Sequence, residues 1–138
     1  EEEAHYILGN HYQWNTATAG TGGSITSGQA PNSICPKGWR LPTSNTGGEF
    51  TTLVNELGGT STTDNITKAP FYGVRGGYVD QNTTYLFSYA GYEGVYWSST
   101  PNSNSTQANL LDFHSTLPVN PSNLTNRYQG FSVRCIAR

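Results

Sequence analysis

Ile34-Cys35-Pro36-Lys37-Gly38-Trp39-Arg40-Leu41-Pro42-Thr43 carries two prolines, a cysteine, a turn glycine and an alternating Trp39/Leu41 pair within ten residues. Proline inside a helix removes a backbone donor and clashes with the preceding turn, so the prolines exclude a helix here. The segment is extended, and side chains two apart on a strand share a face. Trp39 and Leu41 are therefore expected together on the apolar side, with Trp39 in the core.

Downstream of this block comes the one strong helical signal. Phe50, Leu53, Val54 and Leu57 recur at i, i+3, i+4 and i+7, which places them on one helix face. Thr46, with Glu49 three residues on, is expected to cap the helix, and Gly58-Gly59 to stop it. Upstream, Tyr6-Ile7-Leu8 reads as a short strand before Gly9-Asn10, followed by a Gly/Thr/Ser-rich loop to Asn32. From Thr60 to Gly94 aromatic islands alternate with turn residues, the pattern of short strands. Val95/Trp97 and Leu111/Phe113 are alternating pairs that face a core, and Tyr96 is expected to point outward beside buried Trp97. Phe131, Val133 and Cys135 share a face on a last strand expected to be central. The predicted class is α+β, with one or two helices, short antiparallel strands and long loops.

Composition agrees with one folded domain over residues 1–138. Thr, Ser and Asn supply 44 residues, charged residues only 12%, and the net charge is −2. Disordered chains this polar carry high net charge and few aromatics, whereas this one has three Trp, nine Tyr and five Phe. Without a basic patch, an electrostatic nucleic-acid partner is not expected. Apolar runs are far shorter than the ~20 residues that cross a bilayer, so this domain is not expected to insert in a membrane. The start at Glu1-Glu2-Glu3 and the lack of methionine point to an N-terminal anchor or export signal that has been removed. Cys35 and Cys135 allow one disulfide or two buried thiols. The abundance of Asn, Gly and Ser with little Lys favours the disulfide, and with it an extracellular location.

Four blocks then stand in order: the Cys35–Thr43 string, Gly48-Glu49-Phe50, Tyr96-Trp97-Ser98-Ser99-Thr100 and Gly130-Phe131-Ser132-Val133-Arg134-Cys135. Together they resemble the Fibrobacter succinogenes major paralogous domain, over nearly the whole chain from about Tyr12. The resemblance implies a C-type lectin-like fold whose terminal strands meet and whose loops are presented by a small antiparallel sheet. Members are often exported, some on pilin-like helices, and some are targets of diversity-generating retroelements. In those targets Asn codons are rewritten to many residue types, but never to Lys, Met, Gln, Glu or Trp. Residues 101–129 hold six of the thirteen Asn and no Lys, Met, Glu or Trp, with Gln107 and Gln129 the exceptions.

The expected ligand-binding set is Tyr96, Asn102, Asn104, Asn109, Asp112, His114, Thr116, Asn120, Asn123, Asn126 and Tyr128, within a variable segment 96–129. Tyr, Asn, Ser and His suit a paratope, because rigid aromatics and adaptable hydrogen bonders give contact at low entropy cost. Asn120, Asn123, Asn126 and Tyr128 are expected on a loop, and Trp39, Trp97, Phe113 and Val133 in the frame. Calcium-dependent sugar binding needs clustered carboxylates, and the proline motifs Ala30-Pro31-Asn32 and Thr100-Pro101-Asn102 carry none. No metal or cofactor is expected. Asp112 and His114 lie two apart on one strand, which does not aim an imidazole at Ser98 or Ser99, so catalysis is not expected either. Arg40 and Arg134 are expected to hydrogen-bond loop carbonyls. The function that follows is a surface-displayed receptor or adhesin domain for a protein or glycan on another cell or surface. The competing reading is a pilin-like filament subunit.

Overall fold

The computed structural model describes residues 8–21, 30–61, 64–81, 86–103 and 106–138. The strand expected at Tyr6-Ile7 and much of the Gly/Thr/Ser-rich loop lie outside these residues. Leu8 is helical rather than extended.

The elements are α1 (Trp14–Ala17), β1 (Trp39–Arg40), α2 (Glu49–Glu56), a 3-10 turn (Asn65–Thr67), β2 (Tyr78–Asp80), β3 (Leu86–Ser88), β4 (Glu93–Pro101), β5 (Gln107–His114), β6 (Asn120–Asn126) and β7 (Ile136–Ala137). Few helices and several short antiparallel strands make this an α+β fold, as predicted. β4, β5 and β6 form the main sheet in that order, β2 pairs with β3, and β1 pairs with β7.

The main sheet has an apolar layer against each face, and β4 is buried on both. On one side Val95, Trp97, Ala108 and Leu110 pack with Trp14, Ala17, Ala30, Leu41 and Phe131. On the other Tyr96, Leu111 and Phe113 pack with Phe50, Val54, Ile66 and Val119. The two alternating pairs thus fall on opposite faces, and α2 covers the second with the periodic side chains read from sequence. Gly94 belongs to that second layer, because a Cβ there would lie 2.1 Å from the Phe113 ring, which is fully buried and stacked on Tyr96.

The helix cap differs from expectation. Gly48, not Thr46, is the N-cap residue and makes no side-chain cap. Glu49 instead reaches back to the decisive stretch, where it pairs with Arg40 and accepts hydrogen bonds from the Thr43 backbone N–H and hydroxyl. Burial works against ionisation of Glu49, but the hydrogen bonds from Arg40 and Thr43 outweigh it and hold the carboxyl down at about 2. Ser99 N–H donates to the Pro42 carbonyl and Ser44 N–H to Thr100 Oγ1, seating the same stretch on the end of β4. Arg40 therefore has an acidic partner besides the Leu41 carbonyl it also bonds.

Trp39 is a correction: it is 47% exposed. β1 ends at Arg40, so strict alternation does not carry to Leu41, which alone enters the core. The last strand is also less regular than expected. Gly130 bonds Val79, Phe131 bonds Tyr12 and Ser132 bonds Val95 and Trp97, so this segment is central yet divides its hydrogen bonds among three neighbours. Val133 is half-buried against the first layer. Cys35 and Cys135 form the favoured disulfide beside the β1–β7 pairing. Among the described residues no helix is long and apolar enough to cross a membrane.

Candidate functional site

Antiparallel register sets Glu93 opposite His114 and Val95 opposite Asp112. Glu93 and Asp112 are therefore diagonal neighbours on one face, close enough for their side chains to interact. An irregularity between Leu110 and Asp112 shifts the pairing with β6, so that Asn123 stands opposite Leu110 and its amide donates to Asp112 Oδ2 at 3.0 Å. Tyr78, Gln129 and Phe131 join these residues around a cleft of about 150 Å³. Gln129 is fixed by donating to Asp80 Oδ1 at 3.1 Å. Tyr78 is held between Tyr89, stacked at 5.5 Å, and Phe131, edge-on at 5.5 Å.

Neither carboxyl is in an ion pair with Lys or Arg among the described residues, where the ion pairs are Arg40–Glu49 and Arg75–Asp64. Burial first, and the neighbouring Asp112 charge second, push Glu93 up to about 7. Burial also raises Asp112, against the lowering influence of Asn123, Glu93 and His114. Asp112 Oδ1 is buried without a conventional donor, and two carboxyls bond each other only when one carries the proton. A proton on Glu93, favoured by burial and by the Asp112 charge, is the donor that a bond between the two carboxyls requires. Tyr78 is raised by burial first and then by the negative charges of Glu93, Tyr89, Asp80 and Asp112.

A pH dependence follows. An acid whose pKa is raised by folding stabilises the folded state fully below its ordinary value and loses that contribution as pH rises through the folded value. Tm is expected to fall from pH 5 to pH 8 in the wild type and to fall less in Glu93→Gln, which keeps a neutral donor. Glu49 is ionised throughout that range and does not contribute to the slope. Identical slopes in differential scanning calorimetry would exclude the shared proton.

The expected binding residues divide between places. Asp112, His114 and Asn123 share the cleft face, but Asp112 is half-buried in it and is not fully outward. Tyr96 is a correction: it is 5% exposed, packed in the second layer and hydrogen-bonded through its hydroxyl to Val74. β4 is covered on both faces, so alternation around Trp97 does not turn Tyr96 to solvent. Asn120, Asn123 and Asn126 lie on β6 rather than on a loop; only Tyr128 follows it.

Asn109 faces the opposite side from Asp112 and donates to Ser122 Oγ at 3.1 Å. Asn102 bonds Gln107 across the β4–β5 connection, and Asn126 bonds the Tyr128 hydroxyl at 2.8 Å. Thr116 is exposed and donates its N–H to His114 Nδ1. Asn104 lies outside the described residues. The Ser98 and Ser99 hydroxyls donate to the carbonyls of Asn109 and Pro42.

Glu93, Tyr78 and Gln129 are cleft residues that the sequence reading missed. Glu93 continues the Val95/Trp97 alternation by one step, but its meeting with Asp112 appears only in the β4–β5 register; Tyr78 and Gln129 arrive from distant segments with no local signal. Among the described residues no group of three or more His, Cys, Asp or Glu side chains is placed to hold a metal ion.

No protein-family model, no curated protein and no solved structure matches this chain. Fold and site together define an α+β domain, closed by one disulfide, whose central sheet carries a small polar cleft and a row of accessible amides.

Proposed function

We propose that this is a ligand-binding domain of the receptor or adhesin type, displayed at the cell surface on a C-type lectin-like scaffold and varied by a diversity-generating retroelement. One observation carries the reading. On β5 and β6 the polar residues are half-buried or exposed, while Ala108, Leu110, Leu111 and Phe113 on β5 are fully buried. Of the six Asn in residues 101–129, the five described ones (Asn102, Asn109, Asn120, Asn123 and Asn126) are half-buried or exposed, and none is in the core. Replacement at accessible positions costs little stability, so specificity can change over an unchanged frame. The cleft formed by Glu93, Asp112 and Asn123 offers acceptors and donors to a protein or glycan partner. Tyr96 is no longer part of this surface.

The test is deep sequencing of the coding region, and of the DNA downstream, in its source population. Substitutions concentrated at Asn102, Asn109, Asn120, Asn123 and Asn126, with Trp97, Phe113 and Cys135 constant and a near-copy beside a reverse transcriptase, are the expected result. Evenly spread variation would remove the diversification. Self-association of the purified domain through Pro101 to Tyr128 would favour a filament subunit.

The positions also differ in expected stability cost. Asn126→Ala and Tyr128→Ala are expected to leave unfolding free energy within about 0.5 kcal/mol of wild type. Asn123→Ala removes the donor to half-buried Asp112 and is expected to cost about 1 kcal/mol. Urea denaturation of the three variants checks this order.

A further inference from the structure

We infer that the groove beside the disulfide is a second binding site, taking a carboxylate-bearing sugar of the uronate class. The groove encloses about 410 Å³ and is lined by Pro31, Cys35, Pro36, Lys37, Trp39 and Arg138 among others, within the size range of small-ligand sites. It lies at the β1–β7 pair and shares no lining residue with the cleft between β4, β5 and β6, so the inference does not depend on the proposal above.

Three features point to this ligand. Trp39 is 47% exposed, although an indole is the side chain with most to gain from burial. Its backbone is held by pairing with Ala137, next to the Cys35–Cys135 bridge, so the half-exposed indole hangs from a fixed point on the groove and offers a platform to the C–H face of a sugar ring. Charge is the second feature. Lys37 and Arg138 are both exposed on the groove and outside the ion pairs of the described residues, and no acidic residue lines it.

Arg138 donates to the carbonyl of Pro31 at 3.1 Å, which fixes the guanidinium at the rim with donors remaining for a carboxylate. In a chain of net charge −2 this is a local positive site. The third feature disfavours an extended acidic peptide that would pair with the backbone of Trp39 or Arg138. Here Trp39 N–H already donates to Pro36 and Arg138 N–H to Gly38.

The test is a titration of the intact ¹⁵N-labelled chain with trigalacturonate, with neutral trigalactose and tetraglutamate as comparisons. Trigalacturonate is expected to shift the Trp39 indole N–H and leave those of buried Trp14 and Trp97 in place. Trp39→Ala is expected to weaken binding about tenfold or more. Lys37→Gln is expected to weaken it several-fold and to flatten its salt dependence, with both variants unfolding near the wild-type temperature. Should Trp39→Ala fail to fold, Lys37→Gln decides. Absence of a Trp39 shift, equal binding of trigalactose, or tighter binding of tetraglutamate would each overturn the assignment.

Discussion

Replacing Cys35 and Cys135 together by serine is expected to lower Tm by roughly 10–20 °C. The bridge spans 100 residues of sequence, and closing a loop of that length removes unfolded-chain entropy equivalent to about 4.7 kcal/mol. That is a large share of the ~5–15 kcal/mol that keeps a domain folded. The native side compounds the effect. β1 and β7 are two residues each, too short to hold the end of the chain against fraying without the covalent tie. In the double-serine variant, amide exchange at Trp39, Arg40 and Ile136 should quicken before that at Leu110 or Leu111. A Tm change below about 3 °C would mean that the unfolded chain is already restricted by other means.

Trp97→Ala is expected to cost about 3–5 kcal/mol, the range for removing a buried aromatic from a core that cannot collapse around the cavity. Trp97 is fully buried, meets Phe131 edge-on with ring centres 4.7 Å apart, and donates its indole N–H to the Tyr12 carbonyl at 2.7 Å. That bond joins the N-terminal segment to β4, while Tyr12 itself pairs with Phe131. Alanine would therefore open a cavity and remove one of the two hydrogen bonds that the Tyr12 carbonyl accepts, leaving only that from Phe131 N–H, at the point where three segments meet. Trp39→Ala removes the same side chain from a half-exposed site and should cost a small fraction of this. Equal losses in chemical denaturation would contradict the placement of the two indoles.

The difference between these tryptophans shows how far local pattern reaches. Phe50, Leu53, Val54 and Leu57 announced α2 because a helix repeats its contacts every turn, and Val95/Trp97 and Leu111/Phe113 announced β4 and β5 because strands alternate. Trp39 had the same apparent alternation with Leu41, but a strand of two residues does not propagate it. Tyr96 was misplaced for a related reason: alternation distinguishes two faces without saying whether the second is wet, and here α2 and Phe113 cover it. The carboxyl pair was half legible. Asp112 could be placed on a strand face, whereas its neighbour Glu93 acquires meaning only when β4 and β5 are set in register.

The sequence alone determined the α+β class, the single strong helix, the apolar faces of β4 and β5 and the favoured joining of Cys35 to Cys135, because each rests on a short-range periodicity or on composition. Tertiary structure decided the rest. Exposure of Trp39, burial of Tyr96, the extension of β6 through Asn120, Asn123 and Asn126, and the meeting of Glu93, Asp112, Tyr78 and Gln129 in one cleft all depend on which segments pack together. Burial and pKa belong to such assemblies of distant residues, and no window along the chain contains them.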